Sequence, residues 1–600
     1  MKFRGKRAIL FTLLGIFIVF LGNSCQKSPQ KGADTAASKS SEILKEVGDD
    51  YWEFMLEESV YLRMKHGLEI QELPDITFPH AKYQASFTKS ILERLNDVKV
   101  KELSHEESIT LEILKWEAQN FMEGLKFYWL YFPVTPYSSP IPLVHRVFTT
   151  YEFNEKGNLD HYLKLLNLYP SFIESIQDKL KEQYNKGLIV PKEELGLVVP
   201  FLVSFIKEGS QSQFYIKDER LESFEPAERK KFQEEVIKVI NFQLKPALEN
   251  LSNFIKADYL EKAPDSVGLW QYPNGGEYYR YLVRARTTLE LTPEEIHQIG
   301  LEHVGKDNTK VDEIRKSIGF KGTLHEFRHF LKTDSRFFPK TPEEIGERLI
   351  SYMDAMSKKI DNFFIKKPKA PYGVKRLAPE LEGSMTFGYY QPPSKSEAKG
   401  YYNYNGSNLD ERSLVWAEGL IYHELVPGHH FHIALQSENE ALPHWQREAL
   451  HTAFTEGWAE YASWLGLDMG LYQDPYNLCG KYMMDMFLST RLVVDTGMNY
   501  LEWPRSEAVK FMKDNLLESD AQIYSETLRY SVDMPAQALA YKLGSLKMFE
   551  LREKAKKSLG DKFDIRKFHD AILANGSMPL PILERHIAWF IEKELSDSEK

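Results

Sequence analysis

Cysteine is scarce in this chain, which has only two, Cys25 and Cys479, among 600 residues. Secreted domains that rely on disulfides carry many more cysteines for their length. If Cys25 is chemically modified, Cys479 has no partner left within the chain. The sequence therefore predicts a fold that is stabilised by packing rather than by disulfides.

Basic residues are not in excess either. The formal net charge is −11 and the sequence pI is about 5.9. No basic cluster interleaved with aromatic residues follows the first residues of the chain. These features are unlike those of nucleic-acid-binding proteins, so we expect no nucleic-acid partner.

Two common catalytic motifs are missing, since the chain contains neither G-x-G-x-x-G nor G-x-S-x-G. The simplest dinucleotide-binding and serine-hydrolase interpretations are therefore excluded. Residues 300–306 (GLEHVGK) imitate the start of a phosphate-binding loop, but Asp307 replaces the Ser or Thr that would bind magnesium. This segment also continues a predicted helix instead of following a strand, so we do not interpret it as a phosphate site.

Residues 1–24 have the pattern of a secretory signal peptide, with basic residues followed by an apolar run from Ala8 to Leu21. Cys25 stands where a lipid-modified cysteine follows cleavage in bacterial lipoproteins, although Gly22 occupies a position where Leu is more usual. The alternative is ordinary cleavage nearby, which would give a soluble exported protein. Both interpretations predict an exported protein, and we favour a location in the cell envelope with a lipid anchor in a bacterial membrane.

The remainder of the chain predicts a mainly α fold. Residues 25–41 are small, polar and aperiodic, as expected of a flexible tether. A shift in composition near residues 262–276 divides the rest into a helical region at 42–265 and a second one at 266–600. A chain of this length predicts two lobes with a central cleft. Residues 377–408, rich in Tyr, Pro and Gly, predict either a small β or loop region at that cleft or surface loops.

Two helix starts are clear from sequence. Thr292-Pro293-Glu294-Glu295 and Thr341-Pro342-Glu343-Glu344 each combine an N-cap Thr, Pro at the first helical position and Glu at the third. This is the register of a capping box.

A candidate metal-binding segment lies at residues 423–430 (HELVPGHH). In H-E-x-x-H zinc hydrolases the two histidines lie one helical turn apart and the Glu activates a water molecule. Here the second histidine comes two residues later, and on a straight helix it would point ~120° away and lie ~9 Å along the axis. Pro427 cannot donate a helical hydrogen bond and Gly428 tolerates unusual dihedral angles, so we expect the helix to bulge or break. That break favours His429 over His430 as the partner of His423.

The third ligand is predicted on the next helix. Apolar residues recur there at helical spacing, and Glu456 and Glu460 share the opposite face. On an arbitrary helix two such glutamates would simply face water. Downstream of a histidine pair, we expect Glu456 to be a ligand and Glu460 to support the ligands. The apolar stripe consists of Phe454, Trp458, Tyr461 and Leu465.

The sequence resembles the bacterial family called domain of unknown function 885. The resemblance is carried by the two segments around His423 and Glu456 and by residues 491–497 (RLVVDTG), 529–530 (RY) and 535–544 (PAQALAYKLG). That family is similar to the gluzincin metallopeptidases, and the likeness is strongest from about residue 275 to 587. Among gluzincins, the dipeptidyl-peptidase III family inserts one residue into H-E-x-x-H, so two insertions extend the series. The segment around Glu456 resembles the N-E-G-F-A segment that carries the Glu ligand in the aminopeptidase N family.

The chain departs from the family pattern at two positions. Asn499 stands where D-T-G-x-H suggests His, and Ala536 stands where P-G-Q-A suggests Gly. We expect the first change to weaken contacts with the substrate or the transition state. Asn499 and Ala536 together motivate an alternative hypothesis, a binding or scaffold lipoprotein of the cell envelope with a structural or vestigial metal site.

The favoured hypothesis is an exported, lipid-anchored zinc metallopeptidase with a mainly α, two-lobed fold and a peptide substrate. Zn²⁺ would be bound by His423, His429 and Glu456, with Glu424 as general base. Action on another amide or on an ester is a further possibility. The candidate donors to the oxyanion are Tyr541 and Arg529, and Tyr530 and Gln537 are further polar candidates near the cleft.

Overall fold

The computed structural model describes residues 38–382, 388–394 and 397–597. The predicted signal peptide and Cys25 lie outside the described residues. The predicted tether is too long at its C-terminal end, because Ser38 caps a helix that begins at Lys39. The side-chain oxygen of Ser38 accepts a hydrogen bond from the backbone N–H of Ser41, so residues 39–41 are helical.

The described residues are mainly helical, as the sequence predicts. The helices before the small sheet are α1 (Lys39–Glu58), α2 (Val60–Lys65), α3 (Phe78–Leu95), α4 (His105–Gly124), α5 (Ile141–Thr149), α6 (Asn158–Asn185), α7 (Lys192–Phe205), α8 (Pro226–Val239), α9 (Lys245–Phe254), α10 (Leu260–Lys262), α11 (Gly275–Thr287), α12 (Pro293–Ser317), α13 (Leu324–Thr333) and α14 (Pro342–Ser357).

The sheet and a short helix follow: β1 (Tyr372–Arg376), α15 (Pro379–Glu382), β2 (Tyr389–Gln391) and β3 (Gly400–Tyr404). The helices after the sheet are α16 (Ala417–Glu424), α17 (His429–Glu438), α18 (His444–Glu448), α19 (Thr452–Asp468), α20 (Pro475–Asn499), α21 (Arg505–Asn515), α22 (Asp520–Leu528), α23 (Leu539–Leu559), α24 (Ile565–Leu573) and α25 (Leu580–Asp597). None of the helices in the described part of the chain is both long and apolar enough to cross a membrane.

The sheet lies within the Tyr-rich segment at 377–408 and just before it, where a small β or loop region was predicted. Strand β3 is central, with β1 parallel to it and β2 antiparallel. Val374 of β1 and Tyr390 of β2 both pair with Tyr402. Tyr402 is buried, so the sheet packs one face against the helical core.

Both predicted helix starts exist, and they differ in detail. Thr292 and Glu295 form a complete capping box at the start of α12. Thr341 caps α14 by accepting the N–H of Glu344, but the Glu344 carboxylate accepts the backbone N–H of Lys340 instead of that of Thr341. The segment that imitates a phosphate loop lies inside α12, as expected.

Hydrophobic packing connects distant parts of the chain. One buried cluster contains both Tyr169 and Leu492, and another contains both Leu114 and Trp458. Each cluster therefore draws on both sides of residue 265. The domain boundary at that residue and the two-lobed arrangement stay predictions.

Two helices that carry candidate site residues cross very closely. Gly457 of α19 meets Gly544 of α23, where an added Cβ on Gly457 would lie 2.4 Å from the Gly544 carbonyl carbon. Only glycine permits this approach. The crossing brings the segment of α19 that contains Glu456 next to the segment of α23 that contains Tyr541.

Candidate metal centre

The helix breaks between the two candidate histidines, as the sequence predicts. Helix α16 ends at Glu424 and α17 begins at His429. A Cβ on Gly428 would lie 1.7 Å from the carbonyl oxygen of His423, so no other residue fits this conformation. The carbonyl oxygen of Pro427 accepts a hydrogen bond of 3.0 Å from Trp458 Nε1, which joins the break to α19.

The break brings His423 and His429 together with Glu456. One potential ligand atom from each of these three residues lies within 4.8 Å of the others. Glu456 Oε2 is 3.3 Å from His429 Nε2 and 3.7 Å from His423 Nε2. The structure therefore assembles the three residues predicted from sequence as a metal-binding set.

Glu460 lies beside this set. Its Oε1 is 2.9 Å from His423 Nδ1, and its Oε2 accepts a hydrogen bond of 2.7 Å from Lys481 Nζ of α20. Burial alone would lower the pKa of His423, but the carboxylates of Glu460, Glu424 and Glu456 outweigh this effect and the pKa lies above its usual value. Glu460 thus contacts the first histidine, and its role in supporting the ligands stays a prediction.

Helix α19 is buried on nearly all sides. The predicted apolar stripe is in the core, and Glu460 on the other face is only 2 % exposed. The alternative in which both glutamates face water is therefore wrong.

His430 points elsewhere. Its Nε2 donates to the carbonyl oxygen of Ala370 at 3.0 Å, and its Nδ1 accepts from the hydroxyl group of Tyr390 at 3.0 Å. Both ring nitrogens are occupied by these bonds. His430 is therefore not the second histidine of the set.

The chemistry of the donor atoms fits a divalent cation. Glu456 Oε2 is buried and has no hydrogen-bond donor among the described residues. Burial alone would raise the pKa of Glu456, but the imidazoles of His429 and His423 bring it below its usual value. Two imidazoles and a carboxylate around one point are the protein ligands of many catalytic zinc sites.

Glu424 lies next to His423 on the wall of a cavity of about 730 Å³. Burial raises the pKa of Glu424, and the nearby imidazoles of His423 and His429 offset part of this rise. The three candidate ligands line the same cavity. A carboxylate with a raised pKa beside a candidate metal centre is placed to accept a proton.

Tyr541 and Arg529, the predicted oxyanion donors, also line the cavity. Burial raises the pKa of Tyr541, so its phenol stays protonated and can donate. Arg529 donates to Gln537 Oε1 at 2.5 Å, which restrains its guanidinium group.

Arg491 is a cavity residue that the sequence reasoning did not select. Its guanidinium group donates to Glu526 Oε2 at 3.0 Å and lies 4.8 Å from the ring centroid of Tyr541. It begins the segment RLVVDTG, one of the segments that carry the family resemblance. Its place in that segment is the feature of the sequence from which a role at the site could have been predicted.

Tyr530 is not where the sequence reasoning placed it. It is fully buried and outside the cavity lining, and its hydroxyl oxygen accepts a hydrogen bond of 2.7 Å from Arg491 Nε. The chain turns sharply in a π turn at Arg529–Asp533, so neighbouring residues diverge. Tyr530 therefore supports a cavity residue instead of facing the cavity.

Comparison with known families gives a direct match. The profile of a family described as "Bacterial protein of unknown function (DUF885)" matches residues 61–587. The chain belongs to the DUF885 family. No curated protein matches it.

Two solved structures resemble this DUF885 protein over nearly their whole length. One, described as a putative lipoprotein from Colwellia psychrerythraea, is 25% identical and superimposes with a TM-score of 0.85, covering 93% of this chain and 100% of that one. The other, described as a putative lipoprotein of unknown function from Shewanella oneidensis, is 17% identical with a TM-score of 0.71, covering 92% and 99%. The second likeness shows the fold alone.

The two departures from the DUF885 pattern lie outside the cavity lining. Asn499 Nδ2 donates to the carbonyl oxygen of Tyr530 at 2.6 Å, and its Oδ1 accepts the N–H of Leu269 at 3.1 Å. Ala536 has a φ of +64°, a left-handed conformation that suits the glycine of the family pattern. Its N–H donates to the Asp495 carboxylate. Asn499 therefore lies away from the cavity, where it does not face a substrate bound there.

Proposed function

We propose that this protein is an exported zinc-dependent hydrolase that cleaves peptides. The observation that carries the proposal is the convergence of His423, His429 and Glu456 beside Glu424 on one cavity wall. The buried Oε2 of Glu456, which accepts no hydrogen bond within the described residues and faces the two imidazoles, supports a cation at this point. Zinc, when bound by these three residues, supplies Lewis-acid activation of water and of the substrate carbonyl group.

Glu424 has the central role among the protein's own groups. Its carboxylate accepts a proton from the attacking water and then delivers it to the nitrogen of the leaving amine. Glu460 holds His423 in place through the contact at Nδ1. Such supporting carboxylates orient metal-binding histidines in many sites.

Stabilisation of the tetrahedral oxyanion falls to donors on the cavity wall. Tyr541, Arg529 and Arg491 all line the cavity and carry N–H or O–H groups. The close crossing at Gly457 and Gly544 holds the α23 donor near α19. Fixed donors of this kind stabilise developing charge without reorganisation.

The purified protein is expected to contain about one zinc ion per chain, as three converging protein ligands predict. His429→Gln should lose the metal, whereas His430→Gln, the same change one residue later, should retain it. Elemental analysis of the dialysed proteins measures the metal content. A folded, zinc-free wild-type protein would contradict the proposed site.

Peptide cleavage tests the activity itself. A mixture of random peptides incubated with the protein should yield products by mass spectrometry, and a chelator should stop cleavage until zinc is restored. Full zinc occupancy without cleavage of any peptide would instead favour the scaffold lipoprotein.

Lipid attachment at Cys25 is part of the proposal, because the sequence places this residue after a signal peptide. Both structural neighbours are described as putative lipoproteins, which supports an association with the cell envelope. Cells fed an alkyne-labelled fatty acid should label the wild type and Cys479→Ala but not Cys25→Ser. Equal labelling of all three proteins would refute attachment at Cys25.

A further inference from the structure

Arg412 is a cation in the cavity wall that forms no ion pair within the described residues, although the carboxylates of Glu411 and Glu382 are near enough to offset part of the effect of burial on its pKa. Its Nε donates to the carbonyl oxygen of Ser407 at 3.0 Å, which fixes the orientation of the guanidinium group. Neither Nη group has a hydrogen-bond or ion-pair partner among the residues that the structure describes. Burial lowers the pKa of Arg412, as expected of a partly desolvated cation.

The other two arginines that line the cavity, unlike Arg412, form ion pairs with a carboxylate. Arg491 and Arg529 both form ion pairs with Glu526. The buried carboxylate of Glu382, near Arg412 in the fold, is occupied by Arg376, whose Nε donates to it at 2.8 Å. Among the described residues, the Nη donors of Arg412 are thus not used by a partner.

A second unsatisfied group lies next to Arg412 in the chain. The hydroxyl oxygen of Ser413 is buried and has no hydrogen-bond partner within the described residues. Ser413 and Arg412 line the same cavity as the candidate metal centre. A buried polar group without a partner calls for an explanation, and a bound ligand or water is one.

Tyr402 connects this pair to the candidate general base. Burial raises the pKa of Tyr402, the charge of Glu424 raises it further, and the charge of Arg412 lowers it. Arg412, Ser413, Tyr402 and Glu424 also line the same cavity. A peptide bound in this cavity is therefore bordered by both the arginine and the candidate general base.

We propose that Arg412 and Ser413 form a subsite for a carboxylate group of the peptide substrate, so that the protein prefers peptides with a free C-terminal carboxylate or an acidic side chain near the cleaved bond. The planar guanidinium fork matches a carboxylate with two parallel hydrogen bonds, and the Ser413 hydroxyl supplies a further donor. The inference rests on the proposed peptidase function and specifies its substrates.

The test compares random pentapeptides with free C-terminal carboxylates and the same mixture with C-terminal amides. If the C-terminus is the bound carboxylate, wild-type protein should cleave the free acids in preference. For either source of the carboxylate, Arg412→Gln should raise the KM of the preferred peptides by about 10- to 100-fold, as expected for a charged hydrogen-bond pair. Arg412→Lys should recover only part of the affinity because it lacks the fork. Arg348→Gln, the same change at an exposed site on α14, is the matched control and should behave as the wild type.

Amidated peptides with Asp or Glu, compared with those with Asn or Gln, identify the source of the carboxylate. A preference among amidated peptides indicates an acidic side chain, and its absence indicates the C-terminus. The subsite would be overturned, with the peptidase intact, if wild type showed no preference for either kind of carboxylate and Arg412→Gln cleaved every peptide as wild type does.

If no peptide is cleaved, the proposed function fails and binding decides the subsite separately. Free-acid peptides should then be retained on immobilised wild-type protein more than on Arg412→Gln, both shown to be folded by thermal melting. Equal retention would overturn the subsite.

Discussion

Glu424→Gln is expected to keep its zinc while its kcat for peptide hydrolysis falls by about 10²–10⁴-fold, the usual contribution of a general base. The substitution is almost isosteric and leaves His423, His429 and Glu456 unchanged. Glutamine cannot accept a proton from water at neutral pH, so the loss should appear in kcat more than in KM. Parallel measurements of zinc content and steady-state kinetics check both parts of this expectation.

Two further variants test whether the loss of activity is specific to the Glu424 carboxylate. Glu424→Asp keeps the carboxylate but withdraws it from the cavity, so it should retain partial activity. Glu347→Gln makes the same chemical change on the exposed surface of α14 and should match the wild type. Hydrolysis by zinc-loaded Glu424→Gln at the wild-type rate would assign the proton transfer to another group.

The local features of the centre were accessible from sequence because each depends on neighbouring residues. Pro427 cannot donate the hydrogen bond of a regular helix and Gly428 tolerates unusual dihedral angles, so the pair favours a break at this point. The face shared by Glu456 and Glu460 follows from helical periodicity alone. The same holds for the capping box at Thr292.

The positions of Arg491, Tyr530 and Asn499 could not be predicted from the sequence, because they depend on contacts between residues far apart in the chain. Arg491 enters the cavity because α20 packs against the turn after α22, where the Tyr530 hydroxyl group holds its Nε. Ala536 and Asn499 both contact Asp495 deep in the core. Periodicity predicts which face of a helix is buried, but not which distant residue that face meets.

The C-terminal end of the predicted tether was wrong for a different reason. Residues 39–41 have the small, polar composition of a linker, yet the Ser38 hydroxyl caps a helix that contains them. Serine is both a linker residue and a preferred N-cap. Composition alone cannot separate the two roles.

Gly428→Ala is expected to weaken zinc binding strongly even though it removes no ligand. The new Cβ would lie 1.7 Å from the carbonyl oxygen of His423 and 2.6 Å from that of Tyr422. Because both contacts are backbone atoms, the break itself must move, and His429 moves with it. We expect a loss of roughly 1–3 kcal/mol in the free energy of unfolding, and at least about a 100-fold loss of zinc affinity, the upper end of the cost of losing a supporting residue.

Gly305→Ala is the matched control, because Gly305 lies exposed within α12 and an added Cβ there has no atom within 4 Å. This variant should gain about 0.5–1 kcal/mol from helix propensity. Zinc titration and chemical denaturation of both variants separate a general effect of alanine from a specific effect on the break. If Gly428→Ala binds zinc as tightly as the wild type, the broken helix does not bring His423 and His429 together, and the proposed centre loses its geometric basis.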